Sequence, residues 1–227
     1  MGVLLFSHGA RNSPAGLQPV LDVLASQGYA VIAPTHTDSE AMPADRRTDL
    51  RGALPTRVAD MSAAAVYAEQ HYPGMPVGVF GYSYGSLIAT VSAGALQPMF
   101  DGQVADLAAV VMFSSPGPVA GVTDSPGAFA DVTEPTLLVT GTADVVDGFV
   151  EDPVAHLVYH NSLPAGDHTA LVVTDGTHSF LGGGEPGMDE VAPLVIDFLR
   201  SRMLGDGEAR ARFDAAQSTP RVTISRR

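Results

Sequence analysis

Val77-Gly78-Val79-Phe80-Gly81-Tyr82-Ser83-Tyr84-Gly85-Ser86 is the stretch that decides how this chain folds. The apolar run Val77 to Phe80 predicts a strand, the G-x-S-x-G that follows a sharp turn, and the residues beyond it a helix. A backbone that leaves a strand and enters a helix within two residues crowds the positions two before and two after the apex. Glycine at both places, Gly81 and Gly85, relieves that crowding and leaves Ser83 in a strained, exposed conformation. A serine so presented is a candidate nucleophile.

The partners such a serine needs follow in a workable order. Thr136-Leu137-Leu138-Val139-Thr140 is a β-type run that leads into Gly141-Thr142-Ala143-Asp144. Ala170-Leu171-Val172-Val173-Thr174 leads into Asp175-Gly176-Thr177-His178. Nucleophile, acid and base thus each stand just beyond the carboxyl end of an apolar strand. In an open parallel sheet those ends line one crevice, so Ser83, Asp144 and His178 are the expected catalytic group.

Acyl transfer also builds negative charge on a carbonyl oxygen, and fixed backbone amides stabilise it without reorganising. The N–H of Tyr84, at a helix N-terminus, is one candidate. The other is the N–H of Ala10, in the loop Ser7-His8-Gly9-Ala10 after the first strand, Val3 to Phe6. His8 is expected to buttress that loop rather than act as a base.

With these motifs in place, the chain resembles the α/β-hydrolases, and within them serine esterases of the dienelactone hydrolase-like and platelet-activating-factor acetylhydrolase-like kind. The resemblance rests on Phe6-Ser7-His8-Gly9, Gly28 to Thr37, the turn at Ser83, Gly141 to Asp144, Leu163-Pro164-Ala165-Gly166-Asp167, and Gly176 to Phe180. It implies a nucleophile at Ser83, an acid at Asp144, a base at His178 and oxyanion amides at Ala10 and Tyr84, with no cofactor. Two features depart from the pattern. Tyr82 stands where the family often has histidine, and in this the chain is more similar to cutinase-type polyester esterases. Dienelactone hydrolases proper use a cysteine nucleophile, and this chain contains no cysteine.

Composition bounds the remaining choices. At 227 residues the chain fits one α/β domain with a sizeable core. No apolar run approaches the roughly 18–20 residues that span a bilayer. The apolar start is too short for a signal-peptide core and lacks a basic leader, so a cytoplasmic location is the default expectation. Twenty-five acidic residues against twelve basic ones, all arginine, give a net charge of −13. Such a chain repels phosphate backbones, which argues against nucleic acid as a partner.

Strand and helix signals alternate throughout, predicting a parallel sheet covered on both faces. Six strands are expected, near residues 3–7, 29–33, 77–82, 108–113, 135–140 and 169–174, all parallel. Helices are expected after Ser13, over 57–71, 84–97, 152–163 and 188–203, and near 207–216. Residues 35–55 read as loop, residues 1–216 as a single domain, and 217–227 as a mobile tail. Lid domains of this fold class occupy the connection that runs here from Ser115 to Pro135. About twenty glycine- and proline-rich residues are too few for a cap, so an open site is expected.

Other residues have rival readings. His156 and His160 lie one helical turn apart with His168 nearby, a spacing compatible with zinc, but the expected chemistry needs no metal. Asp147 and Asp175 compete with Asp144 for the acid and read better as turn residues. Tyr82 and Phe180 are candidate substrate-binding aromatics. The expected activity is hydrolysis of a carboxylic ester of short to medium acyl length, or of a polyester. An acyltransferase with the same triad, or a non-catalytic binding protein, are the alternatives.

Overall fold

A computed structural model describes residues 1–97 and 99–227. The architecture is α/β, with one seven-stranded sheet in the order β2-β1-β3-β4-β5-β6-β7. The strands are β1 (Gly2–Ser7), β2 (Tyr29–Ile32), β3 (Val77–Tyr82), β4 (Leu107–Phe113), β5 (Thr136–Ala143), β6 (His168–Thr177) and β7 (Val222–Arg226). The helices are α1 (Gln18–Ser26), α2 (Leu50–His71), α3 (Tyr84–Ser92), α4 (Val158–Ser162), α5 (Met188–Met203) and α6 (Gly207–Ala215). No helix among the described residues is long and apolar enough to cross a membrane.

Alternation along the strands divides the core in two. Val3, Leu5, Val79, Val110, Met112 and Leu138 pack with α2 and α3 on one face. Leu4, Phe6, Phe80, Val111, Phe113 and Leu171 pack with α1, α5 and α6 on the other. Side chains of period two, apolar on both faces, are what a covered parallel sheet requires.

Every pairing from β2 to β6 is parallel, but β7 is antiparallel to β6, from Val173↔Val222 to Thr169↔Arg226. The expectation of six parallel strands and a mobile tail over 217–227 is therefore corrected. Val222 is buried and Ile224 packs against the core, so this segment closes the sheet edge beside β6. Helix α2 starts seven residues before the expected position and runs through Pro55. The Asp49 side chain accepts from the Gly52 N–H and caps it there, and burial of Ala53, Leu54 and Val58 holds the turns around the amide that proline lacks. Helix α3 stops at Ser92 rather than Gln97, where Gly94 takes a φ of 97°. The expected 152–163 helix divides into a 3-10 turn, Pro153–Leu157, followed by α4.

Candidate active site

Ser83 stands at the end of β3 with φ 53° and ψ −121°, a backbone conformation that side chains rarely adopt. Two hydrogen bonds hold it there, from its own N–H to the Phe113 carbonyl and from the Ser86 N–H to its carbonyl, both 2.8 Å. The flanking glycines are needed for space. A Cβ on Gly81 would overlap the backbone of Gly85, and a Cβ on Gly85 would overlap the Ser7 carbonyl. The missing side chains thus let the start of α3 lie directly against the end of β1.

The register of β5 against β6 sets the other two groups. Ala143 pairs with Thr177, so the next residues, Asp144 and His178, emerge side by side. A Cβ on Gly141 would overlap the Gly176 carbonyl, so two glycines bring these strand ends together. His178 Nδ1 lies 2.7 Å from Asp144 Oδ1, and His178 Nε2 lies 3.0 Å from Ser83 Oγ. The Tyr82 hydroxyl donates to the His178 carbonyl at 2.7 Å, and the two rings stand 5.4 Å apart. Ser83, Asp144 and His178 are thus brought into one hydrogen-bonded chain.

Asp144 is fully buried and heavily hydrogen-bonded. Thr140 Oγ1 donates to its Oδ2 at 2.9 Å. His156, from the 3-10 turn before α4, places Nε2 3.0 Å from Oδ1 and 2.9 Å from the Asp144 carbonyl. Burial pushes the carboxyl up, but hydrogen bonds from His156, His178 and Ser114 override that and hold it well below the usual carboxylate range. His156 is thus a neighbour of the acid, and sequence spacing gave no sign of it.

The loop that carries Ala10 is fastened by a buried polar cluster. A Cβ on Gly9 would lie 3.3 Å from the Ser83 Cβ, so this loop flanks the serine directly. The Ala10 amide has no backbone acceptor among the described residues. The Tyr84 amide begins α3 and has no intrahelical one. Arg57 of α2, fully buried, donates to the carbonyls of His8 at 2.6 Å and Gly9 at 3.1 Å. Its guanidinium also pairs with Asp38 at 2.8 and 2.9 Å. His8 donates from Nδ1 to the Gly9 carbonyl and accepts at Nε2 from the His36 N–H. That is the neutral tautomer, and burial lowers its proton affinity to a pKa of about 4. His36 bridges Ser7 Oγ at 3.0 Å and Asp60 at 2.8 Å, a second serine–histidine–aspartate chain whose serine is fully buried and therefore structural.

Other expected residues lie elsewhere. Phe180 is buried in the α1–α5 core, so its expected substrate-binding role is corrected. The Tyr84 side chain turns to α2, donating to the Leu50 carbonyl at 2.7 Å beneath the Arg57 guanidinium. Asp147 and Asp175 are exposed. His160 approaches Ser225, and His168 meets Thr136. Asp144, His156 and His178 each bring one polar atom within 4.8 Å of the others, the one such group among the described residues. The 2.7 and 3.0 Å separations to Asp144 Oδ1 are hydrogen bonds. Donors around a tetrahedral ion would stand roughly 3.3 Å apart.

The Ser83–His178 pair is partly open to solvent. Ser83 is half-buried and the His178 side chain is 22% exposed. The 115–135 connection contains turns but no helix or strand. A polar hollow of about 290 Å³, lined by Arg11, Asp38, Glu40, Arg47, Thr48 and Asp49, begins one residue beyond Ala10. An apolar cavity of about 190 Å³ lies between α1 and α5 and includes none of Ser83, Asp144 or His178. No protein-family model matches the chain, and no curated protein matches it significantly.

Proposed function

We propose that this chain is a serine hydrolase of the α/β-hydrolase type that cleaves carboxylic esters through an acyl-enzyme. One observation carries the reading: a serine held at φ 53° meets a histidine nitrogen at 3.0 Å, and that histidine's other nitrogen meets a buried carboxylate at 2.7 Å. Strain, nucleophile–base contact and base–acid contact coincide at one point, which a structural serine does not require.

In this reading His178 carries its proton on Nδ1, facing Asp144, and accepts the Ser83 hydroxyl proton at Nε2 as Oγ attacks the carbonyl carbon. The amides of Ala10 and Tyr84 stabilise the oxyanion, and Asp144 stabilises the imidazolium. The leaving alkoxide takes the proton from Nε2. Water then gives a proton to Nε2, attacks the acyl-enzyme and releases the acid, and the proton returns to Ser83. The partly exposed base is open to water as the acceptor, and a site without a cap suits short to medium acyl chains.

A fluorophosphonate probe tests the proposal. Labelling of the intact protein at Ser83, its loss in Ser83→Ala, and turnover of p-nitrophenyl esters are the expected results. Labelling at another serine, or ester turnover that persists in Ser83→Ala, overturns it.

A further inference from the structure

His156 is completely buried, and both of its ring nitrogens meet acceptors. Nδ1 is hydrogen-bonded to the Ser115 carbonyl. Nε2 is 2.9 Å from the Asp144 carbonyl and 3.0 Å from Asp144 Oδ1. Backbone carbonyls cannot donate, so both ring nitrogens must, and an imidazole that donates from both is an imidazolium. His156 is therefore a buried cation on the same carboxylate oxygen that holds His178. The two rings are 6.0 Å apart, nearly parallel, on either side of Asp144.

We infer that His156 is a charged positioning residue that clamps Asp144 from the side opposite His178 and fixes the carboxylate oxygen that orients that ring. The inference rests on the reading of Ser83, Asp144 and His178 as a catalytic group. Asp144 Oδ1 is shared by the two rings, so without the charge-assisted hydrogen bond from position 156 the carboxylate is free to turn away from His178 Nδ1.

Among the described residues, Asp144 is the one charged group that His156 meets. His156 faces Asp144 and the Ser115 backbone. His178 faces Asp144, His156, the neutral Tyr82 hydroxyl and Ser83. Glu185, beyond them, accepts from the Thr177 N–H at 2.9 Å. The proton affinity of His156 follows the same geometry. Burial lowers it, but the hydrogen bond and charge of Asp144, with the Ser115 carbonyl, override burial and raise it above the ordinary value. His156 also joins the 115–135 connection to the acid, since Ser115 Oγ donates back to its carbonyl at 2.8 Å.

Two measurements test the inference independently of each other. Nitrogen NMR of histidine-labelled Ser83→Ala protein at pH 8 should show one ring, absent from a His156→Gln spectrum, protonated on both nitrogens. A neutral single tautomer at His156 overturns the inference whether or not the protein is an enzyme. In Ser83 protein, His156→Gln keeps an N–H for the carboxylate but removes the charge. Its kcat on p-nitrophenyl acetate should fall about tenfold or more with KM and folding stability little changed. An unchanged kcat, or a loss of kcat only in step with a loss of folding stability, means that His156 only packs, and overturns the positioning role. Failure of Ser83 to label with the fluorophosphonate sinks the enzymatic reading instead, and leaves the NMR result standing.

Discussion

Arg57 reaches from the middle of α2 to the carbonyl oxygen of His8, 2.6 Å from Nη1, and so ties a helix on one sheet face to the loop beside Ser83. The same guanidinium holds Asp38 and the Gly9 carbonyl and lies 4.7 Å over the Tyr84 ring. Both proposed oxyanion amides therefore depend on one fully buried side chain. Arg57→Leu should destabilise the fold by about 3–5 kcal/mol, because it leaves Asp38 charged and unpaired in the interior. Arg57→Leu combined with Asp38→Leu should recover part of that loss. Urea unfolding of the three proteins checks it, and a single variant as stable as the parent would show that the pair is not an anchor.

Ser83→Ala should lower turnover by a factor on the order of 10⁶, as removal of a triad nucleophile does. Ser83→Gly should be equally inactive but more stable than Ser83→Ala by about 1 kcal/mol. Glycine adopts φ 53° without the strain that any side chain incurs there. Thermal melts of both variants give the comparison. Equal melting temperatures would mean that the turn stores no strain.

The three side chains that meet at the proposed site were legible because each follows a local rule. Ser83 is marked by Gly81 and Gly85, and Asp144 and His178 by the apolar runs before them. The residues that support them follow no local rule. Arg57 lies at helical spacing on the buried face of α2, between Leu54 and Met61, where a charge breaks the apolar pattern, and only the fold brings it to His8. His156 meets Asp144 across twelve residues because a 3-10 turn, not a regular helix, carries it. Pro55 hides the start of α2, although Asp49 three residues before Gly52 is the cap signal. The Val222 and Ile224 alternation marks β7, but five residues at a charged chain end are too short a period to outweigh terminal position.

Acid should unfold the protein in a window set by its buried histidines. Burial lowers the proton affinity of His8, His36, His160 and His168, with His8 and His160 brought to about 4. Between that value and the ordinary 6.5 the unfolded chain binds more protons, so stability falls as pH falls. His8 alone contributes about 3 kcal/mol of that loss by pH 4. His156 has the opposite sign: its raised affinity contributes stability below pH 6.5 that is lost as pH rises through its folded value. Asp144 adds nothing in the acid window, because its carboxyl titrates below it. Urea midpoints at pH 7, 5.5 and 4.5 should decline steadily, and a flat profile contradicts the burial of these rings.

Gly141→Ala should cripple the site from a distance. Its new Cβ would overlap the Gly176 carbonyl, a backbone atom that cannot rotate away, so the ends of β5 and β6 must separate. Those ends carry Asp144 and His178 at 2.7 Å. A displacement of about 1 Å at reacting groups costs on the order of a hundredfold in rate. The expected outcome is a drop in kcat with KM little changed, measured on p-nitrophenyl acetate. An unimpaired variant would show that the two strands do not fix the pair.

Access to Ser83 should not require a conformational opening. The 115–135 connection, where a cap would stand, contains only turns. The long segment between β2 and α2 is the other candidate cover, and it is fastened rather than free. The Glu40 N–H donates to the Arg11 carbonyl at 2.9 Å, and the Thr48 N–H to the Thr37 carbonyl at 3.0 Å. The Arg47 guanidinium donates to the carbonyls of Glu40 and Met42. Lid opening is the usual cause of a rate jump when a substrate passes its solubility limit, and it is one of the motions that gate turnover. Rate measured against tributyrin concentration should therefore follow one saturating curve through the point where the emulsion forms. A sharp rise at that boundary would mean that the 33–49 segment releases its ties to Arg11 and Thr37 and acts as a lid.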